Sequence, residues 1–318
     1  MLSTETLPYG GGDADLTPSS AEGQQFICEL PADFSYPASK EGFSVLMSVY
    51  HKEKSIYLRQ SLESIFFQTL LPSEVILVCD GPLTPVLDAV IAEFTLRYSH
   101  ILRVVRLPEN RGLGEALNVG MTHCSFDIIA RMDSDDYSLP TRFERQVGYM
   151  YHHPEIDLLN CAINEFSTNY RQVKACRRLP LAHEELLKYA KKRSPVNHPS
   201  VVFRKSAVEA AGGYRHFYLF EDYYLWVRML MNGAHFHSLD EALLHFRMDN
   251  DTYVRRKGMR YNRSEIALQR EFRRIGFISK WEFYRNILLR CTPRLFPKWL
   301  LKKVYSLILR DKPLIETR

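Results

Sequence analysis

Met132-Asp133-Ser134-Asp135-Asp136 places three carboxylates directly after an apolar run and four residues before Pro140 at a helix start. Gathering that much negative charge is costly unless a cation shares it. The Asp-x-Asp spacing lets one carboxylate take a hard divalent ion while the other reaches the ion through water or grips a ribose hydroxyl. Mg²⁺ or Mn²⁺ suits such oxygen ligands and keeps positions open for phosphate and water. The same residues also fit a solvated acidic turn that caps the next helix.

Two further acids invite the same question. Asp80 ends an apolar run and is followed by Gly81-Pro82, as either an acceptor for a base or ribose or a turn-forming carboxylate. Glu221-Asp222 opens a segment continuing through Trp226, Met229 and Leu230, where helix capping competes with a general-base role for one acid at a cleft-facing helix end. Of the eleven histidines, His51, His198 and His245 lie beside strand ends or polar loops. His245 is either a nitrogen ligand to the ion or a packed imidazole. Two residues on, Arg247 would neutralise a diphosphate leaving group. Asn110-Arg111-Gly112-Leu113-Gly114 looks like a nucleotide loop, but Leu117 stands where a dinucleotide fingerprint wants its third glycine. Neither a phosphate-binding Lys loop nor a Gly-x-Ser-x-Gly elbow is present.

The elements that must carry these groups alternate. Strands are expected at 43–50, 74–79, 101–107 and 126–132, with helices at 56–68, 84–96 and 112–123 between them. Continuous runs such as Val75-Ile76-Leu77-Val78 fit strands covered on both faces, hence an α/β fold with a mostly parallel central sheet flanked by helices. Right-handed crossovers bring the carboxyl ends of such strands to one edge, where ligand clefts form. Beyond residue 140 a helix at 140–153 and a strand at 156–166 follow, then an antiparallel pair from 197–203 and 235–239, with Glu221 to Met231 helical between them.

Charge divides the chain. Residues 1–254 hold 24 Lys and Arg against 32 Asp and Glu, whereas residues 255–318 hold 18 against 5. An acidic body with a basic end does not suit a general nucleic-acid binder, whose basic surface should accompany its recognition surface. Three parts are expected: an extension at 1–40 rich in Gly, Ser, Pro and acids, a catalytic body at 41–254, and a basic amphipathic helical tail at 255–318. In the tail, Trp281, Tyr284, Ile287 and Leu288, then Trp299, Leu300, Val304, Leu307 and Ile308, recur at helical spacing among Lys and Arg. Such helices suit an anionic membrane surface, or pack on the body or on a second copy in a homodimer. The six cysteines show no Cys-x-x-Cys pair, no signal pattern opens the chain, and no 18 apolar residues run uninterrupted, so a reducing, cytoplasmic setting is expected.

Together these strings resemble a family 2 glycosyltransferase of the GT-A fold: Phe43 to Tyr50, Leu107 to Gly120, Ala130 to Asp136, His198-Pro199-Ser200, Gly212-Gly213-Tyr214 and Glu221 to Trp226. Each is weak alone; their order is specific, and the resemblance spans roughly residues 43–250. It implies that Asp80 contacts the uracil or ribose of a nucleotide sugar, and that Asp133 and Asp135 are the donor and metal acids. Asp222 would be the catalytic base. Asn197 to Ser200 would line the acceptor side, so that His198, Glu221 and Trp226 are the expected acceptor-binding residues. Arg247 matches a late Tyr-Arg pattern in which Phe246 replaces Tyr. Where many members carry an acid before Leu-Trp, this chain has Tyr224. The activity implied is inverting, metal-dependent transfer of a hexose or N-acetylhexosamine from a UDP-sugar, UDP-galactose or UDP-glucose first, to a lipid-diphosphate-linked saccharide at the inner face of the cytoplasmic membrane. The alternatives are an inactive nucleotide-sugar-binding or scaffolding protein and a soluble polysaccharide polymerase.

Overall fold

The computed structural model describes residues 42–248 and 259–295. The expected extension at 1–40 and the second apolar stripe at 299–308 lie outside these residues. The first half alternates as its sequence demands: β1 (Ser44–Val49), α1 (Ser55–Phe66), β2 (Glu74–Cys79), α2 (Pro85–Arg97), β3 (Leu102–Arg106), α3 (Leu113–His123) and β4 (Ile128–Asp133). β1 pairs in parallel with β2 and β4, and β2 with β3. Alternation along β1 explains its two-sided burial. Val45, Met47 and Val49 enter the core under α1, α2 and the helix Arg142–His152, while Leu46 enters the opposite core with α3. α3 lies so close to the sheet that a Cβ on Gly120 would meet Leu46 Cδ1 at 2.4 Å.

The second half contains β5 (Tyr137–Ser138), α4 (Arg142–His152), β6 (Leu158–Phe166), β7 (Ala175–Arg177), α5 (His183–Ala190), β8 (Val202–Arg204), α6 (Lys205–Ala210), α7 (Glu221–Met231) and β9 (Phe236–Arg247). The sheet order is β3-β2-β1-β4-β8-β6-β9-β5, with β7 on β6. The sheet is therefore mixed, parallel through its first four strands. The expected pairing of 197–203 with 235–239 does not form. Val202 and Phe203 are fully buried, so the short β8 takes a partner on each edge and runs antiparallel between β4 and β6, while β9 lies parallel to β6.

Two helices, α8 (Met259–Arg274) and α9 (Lys280–Leu295), follow. They do not stand apart from the body as a tail would. Tyr261, Leu268, Phe272, Phe277, Ile278 and Phe283 join the same core as Leu117, Leu225 and Trp226. The sequence stripe on α9 divides: Ile287 packs against that core, whereas Trp281, Tyr284 and Leu288 are exposed.

Candidate active site

Asp80 and Asp133 follow or end strands that flank β1, so the register sets them at one edge of the sheet. Ser48 pairs with Asp133, and the Asp80 amide donates to the Val49 carbonyl at 2.8 Å. Two strand spacings separate them, about 10 Å.

The acidic turn after β4 is held from below by a polar stripe on α1. Ser61 Oγ donates to the Asp133 carbonyl at 2.7 Å, Ser64 Oγ accepts the Ser138 amide at 3.0 Å, and Gln68 donates to the Leu139 carbonyl at 2.8 Å. Asp133, Asp135 and Asp136 each present a carboxylate oxygen within 4.8 Å of the others. Asp136 is buried; its Oδ1 accepts the Arg247 amide at 2.8 Å, and its Oδ2 has no hydrogen-bond partner among the described residues. Burial, then the charges of Asp133 and Glu53, push the Asp135 carboxyl up to about 8. Asp136 is raised well above the usual range by burial and by the other two acids. Hard oxygen donors crowded at this spacing, one of them buried and unpartnered among the described residues, fit a divalent cation such as Mg²⁺ or Mn²⁺, whose charge would favour ionised Asp135 and Asp136.

His245 is not gathered into this group. Its Nδ1 donates to the Tyr170 carbonyl at 2.7 Å, and its Nε2 faces the Asn164 amide nitrogen at 3.3 Å, an arrangement that suits the neutral ring enforced by burial. Both nitrogens are thus engaged in holding β9 to β6 and to the loop after it. Arg247 also differs from its expected role. It is 1% exposed and holds the acidic turn: Nε donates to the Asp135 carbonyl at 2.7 Å, Nη1 to the Ser167 and Thr168 carbonyls, and Nη2 to Gln60 Oε1 at 2.9 Å. Its guanidinium lies 3.7 Å from the Tyr57 ring centroid and 4.5 Å from that of Phe166. Asp80 turns inward as well. Its carboxylate accepts the Arg111 amide at 2.7 Å, the Gly112 amide at 3.0 Å and Asn110 Nδ2 at 3.0 Å. The acid thereby shapes the loop into α3, where Gly112 adopts φ +88°, a region that favours glycine.

A second group of residues converges on Tyr214. Asp222 and Asp133 both raise the pKa of its phenol, after burial, while Arg131 opposes them. A Cβ on Gly114, in the first turn of α3, would lie 3.3 Å from Tyr214 Cβ and 3.4 Å from Glu221 Cγ. The first turns of α3 and α7 therefore meet beside one buried ring, which also feels the charge at the end of β4. Leu219, two residues ahead of Glu221, adopts φ 63°, a strained conformation for leucine, at the entry to α7. Glu221 is half-buried, and burial followed by the charge of Asp222 raises its pKa. His198 Nε2 lies 3.0 Å from the Tyr214 hydroxyl, and burial and Arg131 push the imidazole well below its usual value. Trp226 is fully buried, against His198, Tyr214 and Phe236. Packed wholly within the core, it offers no exposed face to a ligand, unlike the acceptor-binding role expected of it.

Three residues of this site were not singled out from sequence. Arg131 is buried and ion-paired with Asp133, two residues on and on the same strand face; its Nε and Nη1 have no hydrogen-bond partner among the described residues. Arg142, fully buried, donates to the Arg131 carbonyl at 2.7 Å and to the Pro199 carbonyl at 3.3 Å, tying β4 to the turn His198–Ser200. Glu53 accepts from Ser134 Oγ at 2.8 Å and adds its charge to the acidic turn. Alternation on β4 exposes the Arg131–Asp133 relation in the sequence; the other two depend on contacts between distant segments.

A mixed α/β fold with acids at the strand edge and an Asp-rich turn fits the class of glycosyltransferases. Residues 44–212 match Glycosyl transferase family 2, and the chain belongs to that family. It is 39% identical over 83% of its length to the amylovoran biosynthesis glycosyltransferase AmsE of Erwinia amylovora, covering 98% of that protein. It is 37% identical over 84% of its length to an Escherichia coli protein named UDP-Gal:alpha-D-GlcNAc-diphosphoundecaprenol beta-1,3-galactosyltransferase, covering 96% of it. Among solved structures, the mannosyltransferase PcManGT of Pyrobaculum calidifontis, in complex with GDP-Man and Mn²⁺, shares the fold with a TM-score of 0.60 at 16% identity, over 90% of this chain and 81% of that one. The chain is a glycosyltransferase with the GT-A fold.

Proposed function

We propose that the chain transfers a hexose or N-acetylhexosamine from a UDP-sugar, UDP-galactose or UDP-glucose first, to a hydroxyl of a lipid-diphosphate-linked saccharide, with inversion, at the inner face of the cytoplasmic membrane. The observation that carries this reading is the cluster of the Asp133, Asp135 and Asp136 carboxylates; the first turn of α3 packs on Tyr214 and Glu221, and the charges of Asp133 and Asp222 both act on that phenol. The specificity in the name of the Escherichia coli relative supports the donor and the acceptor class.

In this reading Asp133 and Asp135 hold the donor side, with Asp136 fixing the turn. A divalent cation bound there would stabilise negative charge on the departing diphosphate. Asp222 accepts the proton of the acceptor hydroxyl as that oxygen attacks the anomeric carbon from the face opposite the diphosphate. The C–O bond to the acceptor forms as the bond to the phosphate oxygen breaks, and the nucleoside diphosphate leaves with the electron pair. Glu221, with its raised pKa, is the neighbouring acid suited to hydrogen bonding the acceptor in its protonated form. His198 stays neutral and orients Tyr214.

The test is mass-spectrometric detection of product from a panel of UDP-sugars and lipid-diphosphate-linked GlcNAc or GalNAc, with Mn²⁺ or chelator and with Asp222→Asn. One added sugar, lost with chelator and reduced at least about 10²-fold by the substitution, is the expected result. Full activity in Asp222→Asn would remove Asp222 as the base. Folded protein that binds UDP and Mn²⁺ but transfers to none of these acceptors would favour the nucleotide-sugar-binding alternative.

A further inference from the structure

On α9, Trp281, Tyr284, Leu288 and Leu289 are each more than half exposed. Their spacing of three, four and one places them on one side of the helix, opposite the buried Phe283 and Asn286. Beside them a cleft of about 760 Å³ between α8 and α9 is lined by Arg270, Arg273, Arg274, Phe283 and Tyr284. Among the described residues Arg274 is paired with Glu271, whereas Arg270 and Arg273 form no ion pair. Exposed Lys280 opens α9 on the same stretch. Among the described residues, no helix is long and apolar enough to cross a membrane.

We infer that the α8–α9 face, with its arginine cleft and the Trp281-Tyr284-Leu288-Leu289 stripe, is a docking surface for an anionic lipid bilayer, the cleft receiving lipid phosphate. This rests on the lipid-linked-acceptor reading and gives it an address on the molecule. Aromatic and leucine side chains beside cationic ones match the chemistry of the bilayer interface. Charge selects this occupant over two others. Residues 296–318 carry six Lys and Arg against one Asp and one Glu, so the chain's own end has the same sign as the cleft. A second copy docked by a two-fold axis would oppose like arginine clusters. The face is also tied to the catalytic helix. Tyr224 of α7 donates to Glu271 of α8 at 2.9 Å, and Ser264 Oγ donates to the Tyr218 carbonyl at 2.7 Å, just ahead of Glu221. A bilayer held here lies one helix layer from the acceptor side of the cleft.

The experiment is co-sedimentation of the full chain with phosphatidylcholine vesicles, with and without phosphatidylglycerol, for the wild type, Arg270→Gln/Arg273→Gln and Leu288→Ser/Leu289→Ser. Quenching of tryptophan fluorescence by brominated lipid is read in parallel, with Trp281→Phe as control. Expected are binding only to anionic vesicles, loss of about five-fold per arginine removed, at least about ten-fold loss in the leucine variant, and quenching that falls in Trp281→Phe. Transfer to a water-soluble acceptor analogue should be unchanged in all variants. Wild-type binding by both multiple variants, with loss only on removing residues 296–318, would overturn the assignment. So would a leucine variant that turns a dimer into a monomer while keeping its lipid affinity. The vesicles contain no saccharide acceptor, so failure here leaves the proposed reaction intact, and failure of the transfer assay leaves lipid docking to be read independently.

Discussion

Replacing Arg247 by methionine separates two accounts of the same residue. In one, the guanidinium neutralises the leaving diphosphate; in the other, it holds the acidic turn in place. The structure supports the second. Arg247→Met fills much of the volume between Tyr57 and Phe166 but deletes side-chain hydrogen bonds to Asp135, Ser167, Thr168 and Gln60. It also removes the cation that lowers the pKa of Asp135. Taking one partner from a buried charged network costs about 3–5 kcal/mol, which at about 2–4 °C per kcal/mol for a chain of this size lowers the Tm by about 10 °C. Loosening the turn should also weaken Mn²⁺ binding by about 10–100-fold, as loss of supporting contacts around metal ligands does. Arg247→Lys keeps the charge but cannot reach four acceptors at once, so it should recover less than half of either loss. Urea denaturation and Mn²⁺ titration of both variants give these values. If Arg247→Met stays within about 1 kcal/mol of wild type and binds Mn²⁺ normally, the reasoning fails. A rise in the KM for UDP-sugar that Arg247→Lys repairs would then restore the leaving-group role.

Two further outcomes follow from the same packing. The Asp135 carboxyl moves from its ordinary 3.8 to about 8 in the metal-free fold, so the folded state keeps a proton that the unfolded chain releases. Stability conferred by that proton is complete below about pH 4 and is lost as pH rises toward 8. The Tm of chelator-treated protein should fall over this window, and stabilisation by Mn²⁺ should grow; a flat profile, or one unchanged in Asp135→Asn, would contradict the crowding of these acids. Trp226→Ala should cost about 3–5 kcal/mol by opening a cavity, measured by urea denaturation, while the milder Trp226→Phe leaves the acceptor KM unaltered. A raised acceptor KM in stable Trp226→Phe would show that the ring reaches the acceptor after all.

The alternating first half of the fold is legible because each β-strand there is a short continuous apolar run and each helix has an apolar face. Strand ends then place Asp80 and Asp133 at one edge without any further information. The direction of β8 is not legible, since a strand of three residues carries no periodicity and its partners, β4 and β6, lie far away in sequence. Side-chain roles were harder than positions. Arg247, His245 and Trp226 have residue types suited to ligands, yet each is consumed by internal contacts from other elements, Arg247 with Gln60, His245 with Asn164 and Trp226 with His198. Tyr224 shows the converse: its departure from the common acidic residue becomes intelligible once Glu271 of α8 is seen to accept its hydroxyl.

The reversal of strand direction at β8 has a consequence for how such a molecule can change. Parallel β1, β2 and β4 carry Asp80 and the acidic turn, and they close on themselves through crossover helices that end before residue 130. The Glu221-Asp222 helix, β9 and the two terminal helices come after the family match ends at residue 212. Under the proposed roles, donor handling and acceptor handling lie in consecutive stretches of chain joined at an antiparallel seam. Exchange or drift in the later stretch can redirect the sugar to a new hydroxyl or a new lipid carrier while the earlier stretch goes on activating the same class of donor.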